Sequence, residues 1–232
     1  MAPTLRESVR VVRGSLPLLA LHLERLTEGG TPAAVLAALA SSAEAAAAAT
    51  GPGVVKLHIV VAPAEARFSI DLDPLPSTLA VPGGPALVPV TVRALPQLPP
   101  NAAKPADRSY WDGPQRLARL RGGQQALLVT AEGSVVDGGS ATVWAVFGRT
   151  LVTPPAPPAI AGVARRLVLQ DLAPALGLSA EVRPLALAEL EYADEVLLSN
   201  AIGGVVPAAG RGGPVGDDLA AAFEEVLEGL AR

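Results

Sequence analysis

Residues 5–13, LRESVRVVR, alternate apolar and polar positions with the two-residue period of a strand, and Gly14 can turn the chain. LPLLALHLERL changes the period. Leu16, Leu19, Leu23 and Leu26 fall at helical spacing, and His22 and Arg25, three apart, share a flank of the predicted helix. Thr31-Pro32 pairs a cap residue with a first-turn proline, opening an alanine-rich helix that should stop at Gly51-Pro52-Gly53. Strands are predicted over 54–62, 66–73 and 89–95, separated by proline-rich breaks.

The next stretch, 95–105, has four prolines and neither period, and reads as a linker. It divides the chain into a small N-terminal α+β domain, 1–95, and a larger C-terminal domain, 96–232. After the linker, YWDGPQRLARLRGG predicts a short helix ended by Gly122-Gly123. QQALLVT, a turn at Glu132-Gly133, VVD, ATVWAVF, a turn at Gly148-Arg149 and TLVTPP form a meander. A helix starts at Gly162, EVRPLAL (181–187) is a strand, and LAELEYA is a helical turn. EVLLSNAIGGVVPAAG (195–210) is a strand entering a Gly-rich turn, and Asp217 caps the last helix. The order of elements defines an α+β fold.

With 232 residues, half of them hydrophobic, and a net charge of −4, the chain can bury a core and has no charge bias toward nucleic acid or an anionic membrane. Cysteine is absent, which excludes disulfides and thiol chemistry and fits a reducing compartment. No apolar run reaches about 18 residues, and the N-terminus lacks a signal-peptide core. Two histidines without cysteine are too few for a structural zinc site, so no metal is expected. A cytoplasmic globular protein is the expectation. Lys56 and His58 share one face of their strand; His58 reads as a satisfied sheet histidine. Arg116, Arg119 and Arg121 read as a solvated helical face.

Lys104 is one of two lysines. It opens Lys104-Pro105-Ala106-Asp107-Arg108, followed by the hairpin Gly133–Thr142 with Asp137, and by Thr153-Pro154. Upstream stand Arg6-Glu7-Ser8-Val9-Arg10-Val11 and His22-Leu23-Glu24-Arg25-Leu26. Downstream stand Gly162-Val163-Ala164-Arg165 and the segment Ser199–Pro207, SNAIGGVVP. In this order they resemble the fold-type IV pyridoxal 5'-phosphate (PLP) enzymes, the class IV aminotransferases and aminodeoxychorismate lyases. That family runs K-x-x-N/D-R, G-x-V-x-E-G-x-x-x-N and T-P, with an HLxRL arginine, a G-I-T-R loop and T-N-S-L-x-G-x-x-P.

The resemblance implies a two-domain, D-amino acid aminotransferase-like fold, with PLP at the domain interface and a homodimer. It makes Lys104 the catalytic lysine that attaches the cofactor. Arg25 falls on the phosphate-binding arginine, and Asp137 on the glutamate that pairs with the pyridine nitrogen. Val163, Ala164, Asn200 and Ala201 fall on the phosphate cup. Arg10 falls on an arginine that points toward the active site and is expected to bind substrate. Four departures accompany these matches. Aspartate replaces glutamate at Asp137, Thr142 stands where asparagine is usual, and Ala164 and Ala201 lack the hydroxyls that touch the phosphate. The SNAIGG turn and compact length are closer to 4-amino-4-deoxychorismate lyase, which eliminates pyruvate to give 4-aminobenzoate in folate biosynthesis. The alternatives are a class IV amino acid aminotransferase, of branched-chain or D-amino acid type, and a degenerate non-catalytic homologue. The partner is a small-molecule amino substrate, not nucleic acid or membrane.

Overall fold

The computed structural model describes residues 3–50, 55–74 and 77–231. Strand β1 (Leu5–Val11) buries Leu5, Glu7, Val9 and Val11 and turns Arg6, Ser8 and Arg10 to its other face. It pairs antiparallel with β2 (Val55–Ala62), which pairs antiparallel with β3 (Arg67–Asp73). The strand ends at Val11, two residues before the alternation does, because Arg13 and Gly14 turn the chain at positive φ. Helices α1 (Leu19–Glu28) and α2 (Ala33–Ala48) cover one face of this sheet, packing on Leu5, Val9, Leu57, Ile59 and Val61. Pro32, extended at ψ 144°, is the residue before the first helical one of α2. Thr31 therefore lies outside the cap position expected for it. The predicted stop at Gly51-Pro52-Gly53 lies outside the described residues.

β4 (Leu87–Thr91) precedes the expected boundary at residue 95, yet it pairs in parallel with β5 (Gln125–Val129). The parallel pairing requires a crossover, and α3 (Ser109–Leu120) lies in it, placing Trp111 and Ala118 on Val90, Ala126 and Leu128. β6 (Val135–Gly138) completes this three-stranded sheet against β5. A five-stranded sheet follows, in the order β11-β10-β7-β8-β9. It is built from β7 (Thr142–Phe147), β8 (Thr150–Thr153), β9 (Ser179–Val182), β10 (Glu195–Asn200) and β11 (Gly204–Pro207).

The predicted strand over 181–187 is therefore shorter and earlier, with Pro184 unable to extend the ladder. The Gly-rich turn after β10 also differs: Asn200 to Gly204 close a hairpin, and β11 returns along β10. The helix from Gly162 begins as α4 (Val163–Leu167), widens to a π-helical stretch (Val168–Leu172) and ends as α5 (Ala173–Ala175). Pro174 would clash with the carbonyl of Gln170 in a regular α-helix. After the short α6 (Glu189–Tyr192), α7 (Pro214–Leu230) begins at Pro214 rather than at an Asp217 cap. Buried Glu195, on β10, accepts the Val215 and Gly216 amides at 2.9 and 2.8 Å. That carboxylate does the capping from another element. No helix among the described residues is long and apolar enough to cross a membrane.

Candidate active site

β1 and α1 build the first wall. The strand period sends Glu7 inward, and the i, i+3 spacing on α1 brings His22 and Arg25 to it. Arg25 donates from Nε to Glu7 at 2.8 Å and from Nη2 to the second oxygen, while His22 Nδ1 lies 2.6 Å from Glu7 Oε2. Arg25 Nη1 reaches the Ala161 carbonyl at 2.9 Å, tying α1 to the loop before α4. Burial acts to raise the Glu7 carboxyl, but Arg25 and His22 outweigh it and hold it at about 2. Burial lowers His22, so its imidazole is neutral and Nδ1–H donates to Glu7. Its Nε2, buried on the cavity side, is left without a partner.

Lys104 is fixed by the same strand. Its carbonyl accepts the Arg6 amide at 3.0 Å, and the Ala106 amide reaches the Thr4 carbonyl at 2.9 Å. The linker is thereby held as an extra bridge beside β1. Burial first, then the Arg25 guanidinium, push the Lys104 amine down to about 7. Across the cavity, Asp137 sits near the end of β6. Its oxygens accept the Gly138 amide at 3.0 Å and the Ile160 amide at 3.2 Å. Burial outweighs both bonds and pushes its carboxyl up to about 7. Neither Lys104 nor Asp137 has an ion-pair partner among the described residues.

The remaining expected residues lie at two backbone turns. Gly162 precedes α4, and the first-turn amides of Val163 and Ala164 have no backbone acceptor among the described residues. Asn200 Oδ1 accepts the Ile202 and Gly203 amides at 3.0 and 2.7 Å, and Nδ2 donates to the Ser140 carbonyl at 3.2 Å. The Asn200 amide thus shapes the hairpin turn, which presents Ala201 to the cavity. Ser199 Oγ accepts the Trp144 indole N–H at 2.9 Å.

A cavity of about 380 Å³ brings together Arg25, Lys104, Asp137, Val163, Ala164, Asn200 and Ala201. Arg10 is the exception. Its guanidinium makes two hydrogen bonds to Glu224 of α7, at 2.7 and 2.9 Å, and it does not line the cavity. The reason lies in β1: Arg6, Ser8 and Arg10 share one face, and Arg10, at the far end of that row, meets α7 instead.

Sequence reasoning missed Arg6, His58 and Arg108 as cavity residues, and it assigned Arg119 to a solvated face although Arg119 lines the cavity too. The available signal for His58 was its register: it stands opposite Ser8, with Lys56 opposite Arg10. His58 is satisfied, as expected, and it lines the cavity as well.

Asp137 gives a first testable consequence. A carboxyl raised from 3.8 to about 7 favours the protonated folded state, so its contribution is most favourable below the unfolded pKa and declines as pH rises toward 7. Asp137→Asn should therefore stabilise the cofactor-free protein at pH 8, by an amount on the order of a few kcal/mol. It should do little at pH 4. Thermal melts at the two pH values check this.

A family model for class IV amino-transferases matches residues 4–210, most of the chain, and the protein belongs to the class IV aminotransferase family of PLP-dependent enzymes. Solved structures agree on the fold. The branched-chain amino acid aminotransferase of Escherichia coli superposes with a TM-score of 0.81 at 20% identity, covering 100% of this chain and 88% of that one. A protein put forward as a 4-amino-4-deoxychorismate lyase gives 0.80 at 23% identity, over 96% and 90%. A hypothetical aminotransferase from Mycobacterium tuberculosis, in its PLP-bound form, gives 0.78 at 19%, over 99% and 89%. Among curated proteins none matches the sequence. The α+β architecture is that of the fold-type IV enzymes.

Proposed function

We propose that this protein is a PLP-dependent lyase acting on 4-amino-4-deoxychorismate, releasing pyruvate and 4-aminobenzoate. The observation that carries the reading is the pair formed by Lys104 and Asp137. A buried amine and a buried carboxylate line one cavity, each without a counter-ion. Unpaired buried charges are costly, and PLP has a group for each.

The residues present fit this cofactor. Asp137 would hold the proton of the ring nitrogen, and its raised pKa marks a buried carboxylate without an ion-pair partner among the described residues, whose two backbone amide donors do not offset its burial. Arg25 and the open amides of Val163 and Ala164 would neutralise the phosphate, with Asn200 holding the turn that brings Ala201 beside it. Glu7 keeps the Arg25 guanidinium in one orientation. When bound, PLP supplies the electron sink that bond cleavage beside the substrate amine requires. Lys104 would hold the cofactor through Nζ and would carry protons to and from the substrate.

The SNAIGG hairpin turn supports lyase chemistry, whereas the Lys-x-x-Asp-Arg run is common to both activities of the family. Amino transfer is the second reading, since it uses the same Lys104 and Asp137. The division at residue 95, a homodimer and a cytoplasmic location belong to the same proposal.

Incubation with PLP, followed by borohydride, tests the reading. A visible absorbance band that reduction fixes to the protein is expected, together with pyruvate release from aminodeoxychorismate. A band with amino transfer and no pyruvate would select the second reading. Because the attacking amine must be neutral, the rate of cofactor attachment should rise with pH, with a midpoint near 7 set by Lys104. Stopped-flow absorbance across pH 5.5–9 checks it, and a rate still climbing toward the ordinary lysine range would contradict it.

A further inference from the structure

Trp111, on α3, is 3% exposed and lines the cavity together with Asp137. Its ring belongs to the apolar cluster that also holds Val136, the residue before Asp137, and Ile160, whose backbone amide donates to Asp137 at 3.2 Å. Two neighbours fix the ring's orientation. Tyr110 meets it edge-on, with centroids 5.0 Å apart and planes at 76°, and the Arg108 guanidinium carbon lies 6.0 Å from its centre. Arg108 is itself tied to the Gly139 carbonyl at 2.8 Å and to Asp112 at 3.1 Å.

Phenylalanine would pack in this cluster as well. What tryptophan adds is an N–H. That N–H is sealed from solvent and makes no hydrogen bond among the described residues, a costly condition for a donor. It lies near enough to the Asp137 carboxylate to favour the charged form. The carboxylate has room for it. One oxygen accepts the Gly138 amide at 3.0 Å, the other the Ile160 amide at 3.2 Å, and each keeps a lone pair. Two other titratable groups face it. Arg165 of α4 donates from Nη2 to the Pro154 carbonyl at 3.0 Å and acts on Asp137 more weakly than the indole does. The Tyr110 phenol, pushed up to about 12 by burial and then by the Asp137 charge, stays neutral. An aspartate stem is also one methylene shorter than the glutamate usual at this place, so its aim depends more on the donors behind it.

We propose that Trp111 is a positioning residue for Asp137, its indole N–H serving as the third donor that keeps the carboxylate charged and aimed into the cavity. This role rests on the reading of Asp137 as the carboxylate that meets the cofactor ring nitrogen, and deepens it. It gives α3 a part in the site beyond carrying the chain from β4 to β5: the helix presents the donor, and β6 presents the acceptor.

Carbon-detected NMR of the cofactor-free protein, labelled at its aspartate carboxyl carbons, tests the role, with Asp137→Asn identifying the signal. The wild-type Asp137 carboxyl should titrate near 7. Trp111→Phe keeps an aromatic ring and removes the N–H, so it should move that midpoint up by about one to two pH units, the size of one hydrogen bond to a charged group. Tyr110→Phe, which trims the same cluster without removing a donor to Asp137, should leave the midpoint in place. Thermal melts show whether each variant is folded. With PLP, the affinity read from the visible band should be roughly tenfold weaker in Trp111→Phe at pH 7 and within about twofold of wild type at pH 9, where Asp137 is ionised in both. Lost packing alone would weaken it equally at both. A folded Trp111→Phe with an unmoved midpoint, or an affinity ratio that does not change with pH, overturns the role. If the wild type forms no band, the titration alone decides: an upward midpoint upholds Trp111 as the donor to Asp137 while the cofactor reading falls.

Discussion

Lys104→Ala is expected to abolish both the visible band formed with PLP and the release of pyruvate. The amine is the attachment point and the proton carrier at once. The second role alone is worth about 10²–10⁴-fold in rate. Lys56, the other lysine, cannot substitute, because it belongs to a different strand and its ammonium is held by Asp73. Arginine at 104 should fail as completely, since a guanidinium stays protonated and cannot attack a carbonyl. The fold should survive. A buried amine whose pKa has fallen from 10.5 to about 7 is disfavoured in its charged form by its surroundings, so removing it relieves a desolvation cost. The expected signature is a variant with an unchanged or raised melting temperature and no activity. A variant that still gives a band fixed by borohydride would move the attachment site to another residue and end the reading built on Lys104.

Glu7→Gln is the second large effect, and it should appear in stability before it appears in chemistry. Glu7 is 1% exposed and joins β1 to α1 through Arg25 and His22. Breaking a buried ion pair on one side costs about 3–5 kcal/mol, because the remaining charge is left uncompensated. The pH dependence has a defined sign. Glu7 is depressed from 4.5 to about 2, so its contribution is present above the unfolded pKa and is lost as pH falls through 4.5 toward 2. The size of that contribution is on the order of 3 kcal/mol. Denaturant melts of wild type and Glu7→Gln should therefore differ most near neutrality and converge below pH 3. Equal stability at pH 7 would show that the pair contributes only orientation. PLP affinity should drop as well, since Arg25 loses one of the two carboxylate oxygens that aim it.

Much of the scaffold was legible in the chain. The alternation of β1, the leucine spacing of α1 and the turn at Glu132-Gly133 are local signals, fixed by side-chain period and by backbone freedom at glycine. Gly133 indeed takes a positive φ of 85°. Lys104, Arg25 and Asp137 could be picked out because their neighbours in sequence form ordered motifs. What the motifs left open is what each side chain meets. Nothing within a few residues of Arg10 reports that Glu224, at the other end of the chain, would claim it. Nor does the local pattern at Asp217 reveal that Glu195 would cap α7 three residues earlier.

Local periodicity and motif order thus determined the α+β class, the succession of elements and the residue types available for cofactor chemistry, because those depend on neighbours along the chain. Tertiary structure alone decided that Lys104 and Asp137 would be desolvated in a shared cavity, and that Glu224 would hold Arg10 outside it. Burial and charge proximity are sums over residues distant in sequence, and they set the ionisation on which this site depends.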